Sequence, residues 1–68
     1  MPSSVIRHID YEPEQRRLHV TFVSGRKYVY DHVPPHIYHL FRNAPSKGEF
    51  FNAAIRDNYA YHEEKRFG

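Results

Sequence analysis

The stretch Phe22-Val23-Ser24-Gly25-Arg26-Lys27-Tyr28-Val29-Tyr30 decides the fold of this chain. It reads as the end of one strand, a glycine turn, and a second strand that carries two tyrosines one residue apart. Because side chains alternate between the faces of a sheet, the register of the turn decides whether Tyr28 and Tyr30 are core or surface residues. Exposed rings beside arginines could stack on bases, whereas buried rings would fill the core.

Two registers are compatible with this turn. A two-residue turn places Lys27 and Asp31 on the apolar face of the sheet, where unpaired charges are costly to bury. A three-residue loop that ends in a left-handed Gly25 pairs Val20 with Tyr28 instead and keeps both charges on the polar face. We favour the second register, which turns both tyrosines inward. Short helices that cover the face incompletely would still leave one ring at an open edge.

Three short strands are predicted, over residues 5–11, 17–23 and 27–31. In the first strand the apolar residues switch from one set of alternate positions to the other, which predicts a bulge near Arg7 and His8. The connections are too short for crossovers, so the strands form an antiparallel meander.

Two helices follow the strands. Pro35 suits the first turn of a helix, and helical spacing places the apolar residues Ile37, Leu40, Phe41 and Ala44 together. Ser46 and Glu49 match a capping box that begins the second helix. The sequence therefore predicts one α+β domain over residues 1–68, a three-stranded antiparallel meander packed on one face by two C-terminal helices, with flexible ends at 1–3 and 62–68.

Composition narrows the class of protein. The 68 residues include no cysteine, which excludes disulfides and thiolate metal sites and favours the cytoplasm. The sequence contains no apolar run long enough to span a membrane, and no membrane partner is expected. A formal net charge of +2 is mildly basic, too low for binding nucleic acid by electrostatics alone.

Basic and polar residues suggest three candidate binding surfaces. Arg17 and Lys27 would share the outer face of the sheet, either as phosphate contacts or as an ordinary solvated face. Lys47 lies at the predicted helix start, where an anion could bind or Ser46 could simply cap the helix. Asn52 and Arg56 are four residues apart on one helix face, so they could grip a phosphate or tie the helix to the backbone.

No catalytic grouping is visible, and we expect neither an enzyme nor a cofactor. The spacing of the serines, histidines and carboxylates matches no nucleophilic or acid–base constellation. His32, His36 and His39 run into the first helix and offer a minority alternative, a zinc or nickel site. Apart from this minority alternative, we predict no metal site.

An ordered series of residues along nearly the whole chain resembles the KTSC domain. It comprises Ser3-Ser4-x-Ile6, Tyr11, Leu18-x-Val20-x-Phe22, Gly25, Tyr28-x-Tyr30, Val33-Pro34, Tyr38, Ala44, Ser46-x-Gly48, Phe51-Asn52, Ile55-Arg56 and Tyr59-x-Tyr61. That family is named after the C-terminal region of some lysyl-tRNA synthetases and also occurs as single-domain bacterial proteins. The resemblance implies RNA binding through its synthetase context.

The predicted function is accordingly a small non-catalytic binding module of bacterial type, with RNA as the first candidate partner. Its expected contacts are Arg56, Asn52, Lys47, Arg17 and Lys27, joined by Tyr28 and Tyr30 where these rings are exposed. The alternative is a protein-interaction or homo-oligomerisation module without a nucleic-acid ligand, because a short meander has two open edges.

Overall fold

A computed structural model describes residues 5–64 of the chain. It contains one antiparallel sheet of four strands in chain order, with two helices inserted between the third and fourth strands. The strands are β1 (Ile6–Glu12), β2 (Arg17–Phe22), β3 (Lys27–Tyr30) and β4 (Tyr61–Glu64). The helices are α1 (Pro35–Asn43) and α2 (Lys47–Phe50), and α2 continues without a break into a π-helical turn (Phe51–Ile55). The predicted α+β class is confirmed.

The register of the β2–β3 hairpin is the one favoured from the sequence. Val20 lies opposite Tyr28, and the Phe22 N–H donates to the Arg26 carbonyl at 2.9 Å. Gly25 closes the three-residue loop at φ +97°, a backbone conformation that residues with a side chain rarely adopt. Lys27 therefore lies on the outer face of the sheet, opposite the helices, together with every second residue along the strand.

The bulge in β1 is also confirmed. Ile6 pairs with Phe22 and His8 with Thr21, so the register shifts between Ile6 and His8. The extra residue, Arg7, lets the apolar positions on both sides of the shift face the helices.

The prediction of three strands is wrong, because β4 adds a fourth. Tyr61 pairs with Tyr30 and His62 with Val29, which places residues 62–64 in the sheet rather than in a flexible tail. Residues 1–4, which include the predicted flexible end at 1–3, and residues 65–68 lie outside the described part of the chain. The Asp31 N–H donates to the Ala60 carbonyl at 2.9 Å and fixes the entry into β4. The edge of β3 is thus covered.

The helices pack on the inner face of the sheet through aromatic residues. Tyr38 of α1 stacks on Tyr11 of β1 with ring centroids 4.8 Å apart. Helical spacing groups Leu40 with Phe41, but the Leu40 side chain is 55% exposed whereas Phe41 is fully buried. In α2, the Ser46 hydroxyl accepts a hydrogen bond from the Glu49 N–H at 3.2 Å, as the capping box predicts.

The core lies between the inner face and the helices. Its fully buried side chains are Leu18, Val20, Val33, Phe41 and Ile55, joined by the nearly buried Tyr30 and Phe51. In the described part of the chain, neither helix has the length and apolar character needed to cross a bilayer.

Candidate functional site

The inner face of the sheet is only partly covered. Where the π-helical turn ends, a cleft of about 450 Å³ opens between the helix, the β2–β3 loop and β4. Its lining combines aromatic rings with charged and polar groups: Phe22, Ser24, Arg26, Tyr28, Tyr30, Phe51, Arg56, Asp57 and Tyr61. A concave, mostly aromatic surface with a few polar groups is the usual form of a ligand site.

Three tyrosines form one wall of this cleft. The Tyr61 ring lies against both Tyr28 and Tyr30, with centroids 5.6 and 5.2 Å away. Tyr30 is 3% exposed, Tyr28 is half-buried, and Tyr61 is 55% exposed. The accessible aromatic surface is therefore supplied by Tyr28 and Tyr61, while Tyr30 supports them from below.

Two phenylalanines fix the position of the tyrosines. Phe22 meets Tyr28 edge-to-face at 5.6 Å, and Phe51 meets Tyr30 edge-to-face at 5.7 Å. Phe22 and Phe51 also contact each other edge-to-face at 5.4 Å. Edge-to-face packing of this kind restricts ring rotation and is favourable by about 0.5–1.5 kcal/mol per pair beyond burial. The cleft wall is thus a preformed surface.

The π-helical turn brings Arg56 to the cleft. The Arg56 N–H donates to the Phe51 carbonyl at 2.9 Å, five residues back instead of the α-helical four. The wider turn aligns Arg56 with Phe51, which also lines the cleft. Asn52, which is four residues before Arg56, is exposed and does not line it.

Arg26 stands at the loop end of the cleft. Its interaction with the Tyr28 side chain, followed by the charge of Glu63, raises its pKa above the ordinary value. The Arg26 Nε lies 4.0 Å from a carboxylate oxygen of Glu63, a long and exposed contact. Such a pair contributes little stability, so Arg26 can turn to a ligand at small cost.

Burial makes the Tyr30 phenol a weaker acid by raising its pKa. It raises the pKa of this phenol to about 12, and the neighbouring Tyr61 and Tyr28 add to the rise. The Tyr30 hydroxyl therefore remains a neutral group at the base of the cleft at physiological pH.

The candidate residues identified from the sequence lie in four places, one of which is the outer face of the sheet. Tyr28, Tyr30 and Arg56 meet in the cleft. Lys47 lies in the first turn of α2, at the opposite end of the helical segment from Arg56, and Asn52 is exposed beside the cleft. The structure therefore does not bring the candidate residues together as one site.

Arg17 and Lys27 lie on the outer face, and both are paired with carboxylates. Arg17 Nε is 3.6 Å from Asp31, and Lys27 Nζ is 3.1 Å from Glu64. Hydrogen bonding to Lys27 and the charge of Lys27 lower the pKa of Glu64, so this carboxylate stays charged. The pairing neutralises the positive surface that the strand pattern indicated.

The structure does not group the three histidines of the metal-site alternative. Within residues 5–64, no group of three histidine, cysteine or acidic side chains is arranged to hold a metal ion. His32 adopts φ +60° ahead of α1, so it does not continue the helical spacing of His36 and His39.

Six residues of the cleft lining are not among the candidates, and three of these six carry ionisable side chains: Arg26, Asp57 and Tyr61. Arg26 had a usable signal, because the favoured register gives it the same parity as Tyr28 and Tyr30. Tyr61 and Asp57 had none, since their positions depend on β4 and on the π-helical turn.

Comparisons with known proteins give a consistent result. The profile of the KTSC domain matches residues 2–59. The crystal structure of a KTSC domain protein from Yersinia pestis superposes with a TM-score of 0.87 at 33% identity, covering 96% of this chain and 92% of that one. An uncharacterised protein of Stutzerimonas stutzeri is 39% identical over 62 residues, 90% of this chain and 87% of that protein.

A lysine–tRNA ligase of Nostoc punctiforme is 38% identical over 60 residues, which is 88% of this chain. The matched region spans only 11% of that ligase.

Proposed function

The chain belongs to the KTSC domain family, and from that membership we propose that it is a small non-catalytic module that binds single-stranded RNA. The observation that carries the proposal is the cleft in which the rings of Tyr28 and Tyr61 lie with Arg26 and Arg56. Single-stranded RNA is held by stacking of unpaired bases on aromatic rings and by basic groups along the phosphates. The cleft supplies both.

The size of the cleft suits one nucleotide. At about 450 Å³ it falls within the range of small-molecule sites but cannot enclose a duplex. The bases of a single strand are free to turn outward, and one of them can enter while its phosphates stay at the rim.

One relative supports this interpretation by its name. A lysine–tRNA ligase acts on tRNA by its name, and a domain similar to this chain is part of such a protein. The proposed setting is the cytoplasm, where a bacterial-type RNA-binding domain meets its ligand.

The alternative is association with a second copy or another protein through a sheet edge. The edges belong to β1 and β4. β1 carries a bulge, and β4 presents His62, Glu63 and Glu64, features that discourage strand addition. A dimer mass in size-exclusion chromatography would support self-association, since RNA binding requires no dimer.

Fluorescence anisotropy with a labelled single-stranded RNA tests the proposal. We expect Arg56→Gln and Arg26→Gln each to weaken binding about 5- to 10-fold, and each to reduce the salt slope by about 0.7. The matched control is Arg17→Gln, which removes the same charge from the outer face and should change affinity less than about twofold.

The aromatic part of the same experiment uses Tyr61→Ala. This ring is 55% exposed, so its loss should spare the fold while removing a stacking surface that contributes about 1–3 kcal/mol per base. Absence of binding by the wild-type chain, or equal losses in Arg17→Gln and Arg56→Gln, would contradict the proposal.

A further inference from the structure

The cleft contains one acidic side chain in addition to the two arginines. Asp57 follows Arg56 directly and lines the same cavity. The structure records no ion pair at Asp57 with any residue between 5 and 64. A carboxylate repels phosphate and accepts hydrogen bonds, so Asp57 suits a part of the ligand that donates them.

Asp57 and Arg26 occupy different ends of the cleft. The Arg26 Nε lies 4.0 Å from a carboxylate oxygen of Glu63, the residue of β4 that pairs with Tyr28. Asp57 comes shortly before Ala60, whose carbonyl accepts a hydrogen bond from the Asp31 N–H at 2.9 Å, so Asp57 lies toward the Tyr30 end of β3. Because Tyr28 and Tyr30 are two residues apart on β3, Arg26 at the loop end and Asp57 at the helix end, next to Arg56, are separated along the strand. A base lying on Tyr28 and Tyr61 would have its phosphate toward Arg26 and its far edge toward Asp57.

The chemistry of a carboxylate discriminates among the four bases. An ionised carboxylate is acceptor-only and has two oxygens side by side. Guanine alone presents two adjacent donors on its Watson–Crick edge, N1–H and the N2 amino group. Adenine and cytosine present one donor next to a bare ring nitrogen, and uracil presents one donor between two carbonyls, so each of these brings a lone pair against the carboxylate.

We propose that the cleft selects guanine, with Asp57 accepting both Watson–Crick donors of a base that lies on Tyr28 and Tyr61. This proposal rests on the proposed RNA-binding function and names the nucleotide that the same site takes. Bidentate pairing of this kind is the strongest form of base discrimination available to a side chain.

The test uses oligouridines of about six nucleotides, a length within the usual site size of single-strand binders. One central uridine is replaced by guanosine, adenosine, cytidine or inosine, which keeps N1–H but lacks the N2 amino group. We expect the guanosine oligomer to bind about tenfold more tightly than the others, with inosine losing most of that preference. Asp57→Asn replaces one acceptor with a donor and should reduce the preference to less than about twofold.

Asp31→Asn is the matched control. It removes the same charge from the outer face, where Asp31 pairs with Arg17, so it raises general attraction to RNA equally but should keep the guanine preference. Equal binding of all oligomers by the wild-type chain overturns the selectivity and leaves the RNA-binding proposal standing. A preference that survives Asp57→Asn overturns the role of Asp57. No binding of any oligomer overturns both proposals.

Discussion

Among single residues, Tyr30 shows most directly how packing sets chemistry. Its ring fills the core against Phe51 and supports the accessible tyrosines of the cleft. Burial raises its pKa from 10.0 to about 12. The folded chain therefore holds this proton more tightly than the unfolded chain does, which stabilises the fold in full below about pH 10 and progressively less up to about pH 12.

We expect Tyr30→Phe to remove this pH dependence. Between about pH 9 and pH 11.5, the wild-type chain should lose on the order of 1–2 kcal/mol more of its free energy of unfolding than the variant. The variant keeps the ring and loses only the ionisable hydroxyl. Urea unfolding followed by circular dichroism across this pH range measures the difference. Parallel losses in the two proteins would show that Tyr30 titrates normally.

Among the structural elements, the β2–β3 hairpin shows what could be predicted from sequence. Burying Lys27 and Asp31 would be so unfavourable that the register could be chosen before any coordinates were known, and it is confirmed. The parity change of the apolar positions in β1 indicates its bulge, which is also confirmed. Periodicity and charge thus determine the elements whose partners are adjacent in the chain.

β4 and the π-helical turn could not be predicted in this way. The sequence of β4 is polar after Tyr61 and becomes a strand only because the edge of β3 is there to pair with it. No local signal distinguishes a π turn from an α turn at residues 51–55, yet this turn brings Arg56 to the cleft. The positions of Tyr61 and Arg56 therefore depend on strand pairing and on backbone geometry that the local sequence pattern does not indicate.

The hairpin should be sensitive to Gly25→Ala through backbone conformation alone. A Cβ at this position would meet no atom within 4 Å, so there is no clash, but φ is +97°. We expect a loss of about 1–2 kcal/mol in the free energy of unfolding. Gly25→Asn should lose less, because asparagine tolerates positive φ better. Equal stability of the alanine variant and the wild type would contradict the assigned loop.

The stability of the whole molecule depends on a small core. A chain of this length is expected to have a free energy of unfolding of about 3–10 kcal/mol. Only a few of its side chains are fully buried. The same smallness leaves the inner face incompletely covered, because two short helices cannot span four strands. The cleft is thus a direct consequence of the size of the domain.

Ile55→Ala should remove a large part of that stability. The side chain is fully buried beneath the sheet, and truncation of such a residue costs about 2–5 kcal/mol. Leu40→Ala is the matched control, since Leu40 is 55% exposed and its truncation should cost less than about 0.5 kcal/mol. Thermal unfolding of both variants checks the assignment of the core, and a larger loss at Leu40 would contradict it.

Titration of the ¹⁵N-labelled chain with single-stranded RNA, followed by amide chemical shifts, tests the central claim most directly. We predict that the shifts concentrate at Ser24, Arg26, Tyr28, Arg56 and Asp57, which line the cleft. The outer-face strand positions, such as His19 and Lys27, should change little. Shifts confined to the outer face, or none at saturating RNA, would contradict binding in the aromatic cleft.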